Sequence, residues 1–182
     1  MPDLRTTTYA VLGLLANGPM SGYSLVGLSQ DSIAHFWPLT KSQAYSELSR
    51  LEDLGYVTSR QIRQESLPDK REYEMTKAGR EALNRWLDSP GFEPDRFRSG
   101  FLVKVFFANL MDHESLLEML ERYRKETEEY RARLAMIVKQ LDSVEGADFM
   151  RATAEYGAQI HAAAVEWAKK LESRTKKGGK RA

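Results

Sequence analysis

Ser42, Ser46 and Ser49 recur at helical spacing, with Lys41, Gln43, Tyr45 and Arg50 at their margins, inside the stretch WPLTKSQAYSELSRLEDLGYVTSR. Projected at about 100° per residue, these side chains lie opposite Ala44, Leu48 and Leu51, so one face is apolar and the other small and hydroxylated. Hydroxyl groups on short side chains let a helix come close to a polar polymer. A carboxamide such as Gln43 can pair with adenine, and Lys41 beside a helix N-terminus favours phosphate. That chemistry suits recognition of double-stranded DNA, with a merely solvated helix surface as the competing account for this face taken alone. A second set of cations, Arg60, Arg63, Lys70, Arg71 and Lys77, follows at a distance suited to gripping phosphates, although Glu65, Asp69, Glu72 and Glu74 lie among them.

Catalytic and metal chemistry finds no comparable set. His35, His113 and His161 are far apart, without an HExxH pattern or a carboxylate partner at i,i+4, and neither a G-x-S-x-G nor a P-loop occurs. With no cysteine, thiolate nucleophiles, disulfides and Cys-based zinc sites are excluded, and a reducing compartment is compatible. The expectation is a non-enzyme with no cofactor and no metal. The net charge is +1, and residues 1 to 90 hold ten Lys/Arg against eleven Asp/Glu, so any DNA-binding surface comes from local arrangement and not from bulk charge. The N-terminus has no secretory signal and YAVLGLLA is too short to span a bilayer, which predicts a cytoplasmic protein without a membrane partner.

The elements that must position these residues can be read from caps and periodicity. A first helix is predicted from about Leu4 to Ala16, capped by Asp3, with Tyr9, Leu12 and Leu15 on one side, before N-G-P stops it. A second starts at Ser21, with Met20 and Leu25 as a hydrophobic staple, and runs to about Ala34. The serine-faced helix follows, with Thr40 as N-cap, Gln43 completing a capping box and Gly55 closing it. Gln43 therefore has two candidate roles, in its own cap and in reading bases. YVTSRQIR and REYEM, joined by the turn-prone QESLPDK, read as a two-stranded hairpin with Tyr73 and Met75 on one face. Thr76 caps a fourth helix with an apolar stripe of Ala78, Ala82, Leu83 and Trp86, and SPGFEP forms a linker.

Three helices followed by a hairpin is the order of a winged helix-turn-helix, whose third helix enters the major groove while the wing touches backbone or minor groove. The residues also resemble a family. SGYSL, FWPLTKSQAYSELSRLEDLGYV and REYEMTKAGREAL, in order over about residues 9 to 87, resemble the PadR family of bacterial transcriptional regulators. The resemblance implies a dimeric cytoplasmic repressor on a near-palindromic operator, released by a small, often aromatic, molecule.

The second half is helical. FRSGFLVKVFFANLM is apolar almost all round and needs cover on more than one side. Asp112 caps a long helix with a seam of Leu116, Leu120, Tyr123, Thr127, Tyr130, Leu134, Ile137 and Leu141 at steps of four and three. A last helix, about Ala147 to Leu171, aligns Phe149, Ala152, Tyr156, Ile160, Ala163, Trp167 and Leu171, with a small-residue flank of Ala154, Gly157, Ala158, Ala162 and Ala164. The two helices pair as an antiparallel hairpin, and a second copy is the simplest cover for what remains exposed, so a homodimer is expected. Phe36, Trp37, Phe101, Val105, Phe106, Tyr156 and Trp167 are candidate linings of a site for an aromatic or hydrophobic effector between the halves; packed core is the competing account.

The predicted organisation is a mainly α chain with a small β-hairpin. Residues 1–90 form a winged helix-turn-helix DNA-binding domain, 91–172 a coiled-coil-like dimerisation domain and 173–182 a basic mobile tail. The predicted function is a ligand-responsive, sequence-specific repressor acting as a homodimer on a palindromic operator. The alternative is a winged-helix adaptor for protein contacts, which has no need of a continuous DNA-reading face in two copies.

Overall fold

A computed structural model describes residues 4–63, 70–91 and 97–178. The chain divides into two compact units, Met1–Glu93 and Pro94–Ala182.

In the first unit, α1 (Thr6–Leu14) ends in a 3₁₀ turn over Leu15–Asn17. Arg5 stands at its N-cap without a side-chain bond, so the helix starts later than Leu4, and the expected cap Asp3 lies outside the described residues. Helix α2 (Gly22–Ser32) is capped by Ser21, which accepts from the Ser24 N–H at 3.1 Å, and α3 (Lys41–Asp53) follows. Strands β2 (Val57–Ile62) and β3 (Lys70–Met75) pair antiparallel, Val57 opposite Met75 and Ile62 opposite Lys70. Helix α4 (Lys77–Leu87) begins at the predicted cap Thr76, whose hydroxyl accepts from the Gly79 N–H.

The sheet has three strands, not two. β1 (Met20–Ser21) pairs with β3, placing Met20 opposite Tyr73 and Ser21 opposite Glu72. Two residues are too short to show an alternating pattern, so the strand is legible only from its partner. The core holds Val11, Leu12, Leu15, Leu25, Leu48, Leu51 and Val57, all nearly inaccessible, with Tyr9 stacked on Trp86 at 4.7 Å along its margin. Ala78 is exposed and Gly79 takes its place on the buried side of α4, against the Tyr56 carbonyl. Together these elements form a winged helix-turn-helix.

In the second unit, α5 (Gly100–Phe106) is capped by Ser99, and α6 (His113–Leu141) by Asp112, which accepts from the Ser115 N–H at 2.8 Å. Hydrogen bonds from Ser115 hold the Asp112 carboxyl below the usual carboxylate range. Helix α7 (Asp148–Gly178) pairs with α6 along its length. It runs past the predicted end at Leu171, so residues 173–178 continue the helix; residues 179–182 lie outside the described residues. Thr175 donates its hydroxyl to the Leu171 carbonyl, and Lys176 and Lys177 suit the negative end of the helix dipole.

Helix α7 buries a face of mostly small side chains. Ala154, Val165, Ala168 and Glu172 are buried, while Phe149, Tyr156, Ile160 and Trp167 are 88, 63, 50 and 38 % exposed. Small side chains such as Ala154 and Ala168 let the two backbones approach closely, so they sit in the seam and the large side chains turn outward. At the seam, Arg124 donates to Glu172 at 2.9 Å, pairing an acid that would otherwise be buried unpaired.

Candidate nucleic-acid interface

Helix α3 starts at Thr40 because two donors are satisfied there at once. The Thr40 hydroxyl accepts from the Gln43 N–H at 3.2 Å, and Gln43 Oε1 accepts from the Thr40 N–H at 3.0 Å and its hydroxyl at 2.9 Å. The capping box is thus present, and the carbonyl oxygen of Gln43 is committed to it. Bidentate pairing with adenine needs that oxygen and the amide nitrogen together, so the two candidate roles of Gln43 compete for one atom.

Burying Ala44, Leu48 and Leu51 completely fixes the helix's rotation. Lys41, Ser42, Gln43, Tyr45, Ser46 and Ser49 then face outward, and Arg50 is half-buried beside them. Tyr45 lies across the start of α2: a Cβ built on Gly22 would stand 2.7 Å from its Cε1, so only glycine accommodates the ring there. Tyr45 remains 39 % exposed.

Two of the three acids of α3 are drawn off this surface, Asp53 lying exposed at its last turn. Glu47 accepts from the hydroxyl of Thr8, a fully buried residue of α1, at 2.7 Å. Glu52 accepts from Arg71 at 2.9 and 2.7 Å and from the Ser59 hydroxyl at 2.6 Å. Both carboxylates point to protein partners, which leaves a hydroxyl-lined face that a polyanion can approach without meeting them.

Among the wing cations, Arg60 and Arg71 are engaged by acids. Arg60 sits directly across the ladder from Glu72 and donates to it at 2.9 and 2.6 Å; that carboxylate raises the Arg60 guanidinium above its usual range. Arg71 donates Nε to Ser59 at 2.6 Å, in addition to its fork on Glu52, and lies 5.5 Å from the centre of the Tyr73 ring. Arg63, Lys70 and Lys77 are exposed, and the segment 64–69, with Glu65 and Asp69, lies outside the described residues. Sequence reading missed Glu52 and Ser59 as partners of Arg71. The cross-strand Arg60–Glu72 pair would have been readable once the register was known.

The effector candidates separate by unit. Phe36, half exposed and edge-on to His35, and the partly buried Trp37 belong to the first. In the second, Phe101 stacks on Tyr123 at 3.7 Å with Trp167 edge-on to both. Val105 is partly buried, while Phe106 and Tyr156 are exposed and outside that trio. Tyr123, a seam residue by its spacing, is the third member of this cluster. A neighbouring cleft of about 310 Å³ is lined by Phe101, Tyr123 and Met119 with Lys104, Arg122 and Glu126. Among the described residues no group of His, Asp or Glu could hold a metal ion, and no helix is long and apolar enough to cross a membrane.

Residues 11–85 match the transcriptional regulator PadR-like family, and residues 97–175 match the C-terminal domain of virulence activator alpha. The negative transcriptional regulator PadR of Bacillus subtilis is 30% identical over 118 residues, 65% of this chain and 65% of that protein. Residues 11–85 of this chain thus carry a PadR-like regulator domain. That family consists of transcriptional regulators and not enzymes. Solved PadR-like structures share the fold over nearly the whole chain. A PadR-like regulator from Bacillus cereus has a TM-score of 0.80 at 26% identity, covering 96% of this chain and 98% of its own. Bacillus subtilis PadR in complex with operator DNA has a TM-score of 0.83 at 24% identity, covering 94% and 99%. The same protein in complex with p-coumaric acid has 0.75 at 21%, covering 97% and 98%.

Proposed function

We propose that this PadR-like chain is a sequence-specific DNA-binding repressor that acts as a homodimer on a palindromic operator and responds to an aromatic small molecule. The observation that carries the reading is the exposed face of Ser42, Gln43, Ser46 and Ser49 on a helix whose Glu47 and Glu52 are tied to Thr8 and Arg71. Short hydroxylated side chains permit groove entry, and the withdrawn acids remove the main electrostatic objection to it. Operator DNA in the solved relative, and that relative's name as a negative regulator, support the same reading.

The homodimer is supported by the outward stripe of Phe149, Tyr156, Ile160 and Trp167 on α7, together with Phe106 and Leu110, each 80 % exposed. Large apolar side chains exposed in this number call for cover, and a second copy gives DNA two reading helices. The effector reading rests on the Phe101–Tyr123–Trp167 cluster beside Lys104 and Arg122. An aromatic floor with cations at its edge suits a planar acid, the chemistry of the p-coumaric acid bound by the relative.

Selection of bound sequences from random duplex DNA tests the whole reading. A palindrome with half-sites about one helical turn apart is the expected result. Failure to enrich any sequence would overturn it in favour of a protein-contact adaptor.

A further inference from the structure

We propose that Arg71 is a positioning residue, which fixes the wing against the reading helix through Glu52 and Ser59 and does not itself neutralise a DNA phosphate. The inference rests on the DNA-binding reading above and assigns a different task to one of its cations.

Three elements meet in this cluster. Glu52 comes from the last turn of α3, Ser59 from β2 and Arg71 from β3. The bonds close a ring: Arg71 Nε donates to Ser59 at 2.6 Å, Ser59 donates onward to Glu52 Oε1 at 2.6 Å, and Arg71 Nη2 returns to both Glu52 oxygens at 2.9 and 2.7 Å. The guanidinium also lies over Tyr73, a residue only 5 % exposed, which holds it from the sheet side. Two nitrogens of one rigid plane, Nε on the Ser59 hydroxyl and Nη2 on the Glu52 carboxylate, hold both partners at once, a spread that the single nitrogen of an ammonium cannot reproduce. Arg60 differs because its partner Glu72 is its own cross-strand neighbour, so that pair ties the wing to itself. Only the Arg71 ring joins the wing to α3 among the ion pairs of the described residues. The angle between wing and reading helix decides whether both can touch one duplex, so a group that sets it changes affinity without meeting the DNA.

The two roles predict opposite signs. A phosphate contact at Arg71 would make Arg71→Lys mild, Arg71→Gln lower the salt slope by about one unit, and Glu52→Gln tighten binding by removing a competing anion. A positioning role makes Arg71→Lys nearly as damaging as Arg71→Gln, leaves the slope unchanged, and makes Glu52→Gln weaken binding although it removes negative charge.

The experiment uses the full chain and the duplex enriched by selection, with binding measured between 50 and 300 mM salt, about the range over which such slopes are read. Arg63→Ala and Lys70→Ala serve as phosphate-contact controls. The expected result is a loss of about tenfold or more for Arg71→Lys and Glu52→Gln at unchanged slope. In parallel, amide hydrogen exchange of the free protein should quicken about threefold over residues 57–62 and 70–75 in Arg71→Lys, and not in Lys70→Ala. Tighter binding by Glu52→Gln, or a slope reduced in Arg71→Gln, overturns the proposal. Unchanged exchange in Arg71→Lys overturns it too, without any DNA. If the wild-type chain binds no duplex, the DNA-binding reading fails, and the exchange measurement still reports separately whether the ring holds the wing.

Discussion

The hydroxyl of Thr8 on α1 donates to the carboxylate of Glu47 on α3 at 2.7 Å, joining a fully buried residue to an acid on the reading helix. Thr8→Val keeps the shape and removes the donor. The expected cost is about 1–2 kcal/mol of stability, since a charged acceptor loses its partner. Affinity for the selected duplex should also fall, because the freed carboxylate can turn toward phosphate. Chemical denaturation and a binding titration on the same variant check both effects. Unchanged affinity would mean that Glu47 stays off the DNA side without Thr8.

Gln43 offers a clean separation of capping from reading. Gln43→Glu retains an acceptor for the Thr40 N–H and loses the amide donor, whereas Thr40→Ala removes the hydroxyl's bonds to the Gln43 N–H and Oε1 and keeps the backbone N–H bond to that oxygen. Thr40→Ala should cost about 1 kcal/mol of stability, the usual worth of an N-cap. If Gln43 reads a base, Gln43→Ala must change the preferred sequence, while Thr40→Ala weakens binding and leaves the preference unaltered. The same enriched sequence from wild type and Gln43→Ala would confine Gln43 to its cap.

Caps and faces were the legible part of this fold. Thr40, Thr76 and Asp112 are read correctly as N-caps because a short oxygen acceptor before an amphipathic run has one dominant use. The apolar face of α3 was equally plain, since Ala44, Leu48 and Leu51 leave no other rotation. Pairings between distant segments were not legible. The Met20–Ser21 strand, the Glu52–Arg71 fork and the Thr8–Glu47 bond depend on which elements meet, which no local spacing encodes. On α7 the Phe149–Trp167 stripe and the small-residue flank were both legible as periodic faces, but the exact residues packed on α6 depend on how closely the backbones approach, which favours alanine at Ala154 and Ala168.

That stripe leads to a test of the dimer. Tyr156 and Ile160 are exposed and lie off the buried α6–α7 seam, so charge at either should spare the hairpin and damage only what covers them. Tyr156→Glu and Ile160→Glu are expected to keep the helical circular dichroism of the wild type and to shift a micromolar sample from dimer to monomer in sedimentation. Both variants should lose binding to a palindromic duplex more steeply than to a half-site, since only the dimer engages two half-sites. A wild-type monomer, or dimers that survive both substitutions, would remove this surface from the assembly.

His161 predicts how stability follows pH. It packs against Tyr130 at 4.7 Å, and burial holds its imidazole below the ordinary value of about 6.5. The unfolded chain therefore takes up a proton at a pH where the folded chain does not. By linkage, this stability is fully present above the unfolded value, declines as pH falls through it, and stops declining once pH is below the lowered folded value. The carboxylates beside it on the same helices behave oppositely in position. Glu121, Glu128 and Glu166 are held below their usual range chiefly by hydrogen bonds from Lys125, Arg131 and Lys169. Their contributions persist until pH drops through the ordinary carboxylate value of about 4.3 and into the folded range beneath it, so the two windows are distinct. Melting temperature should consequently show a first decline that sets in as pH falls through about 6.5 and that His161→Phe removes, and a second in the carboxylate range that it leaves in place. A first decline of equal size in His161→Phe would assign that window to another group.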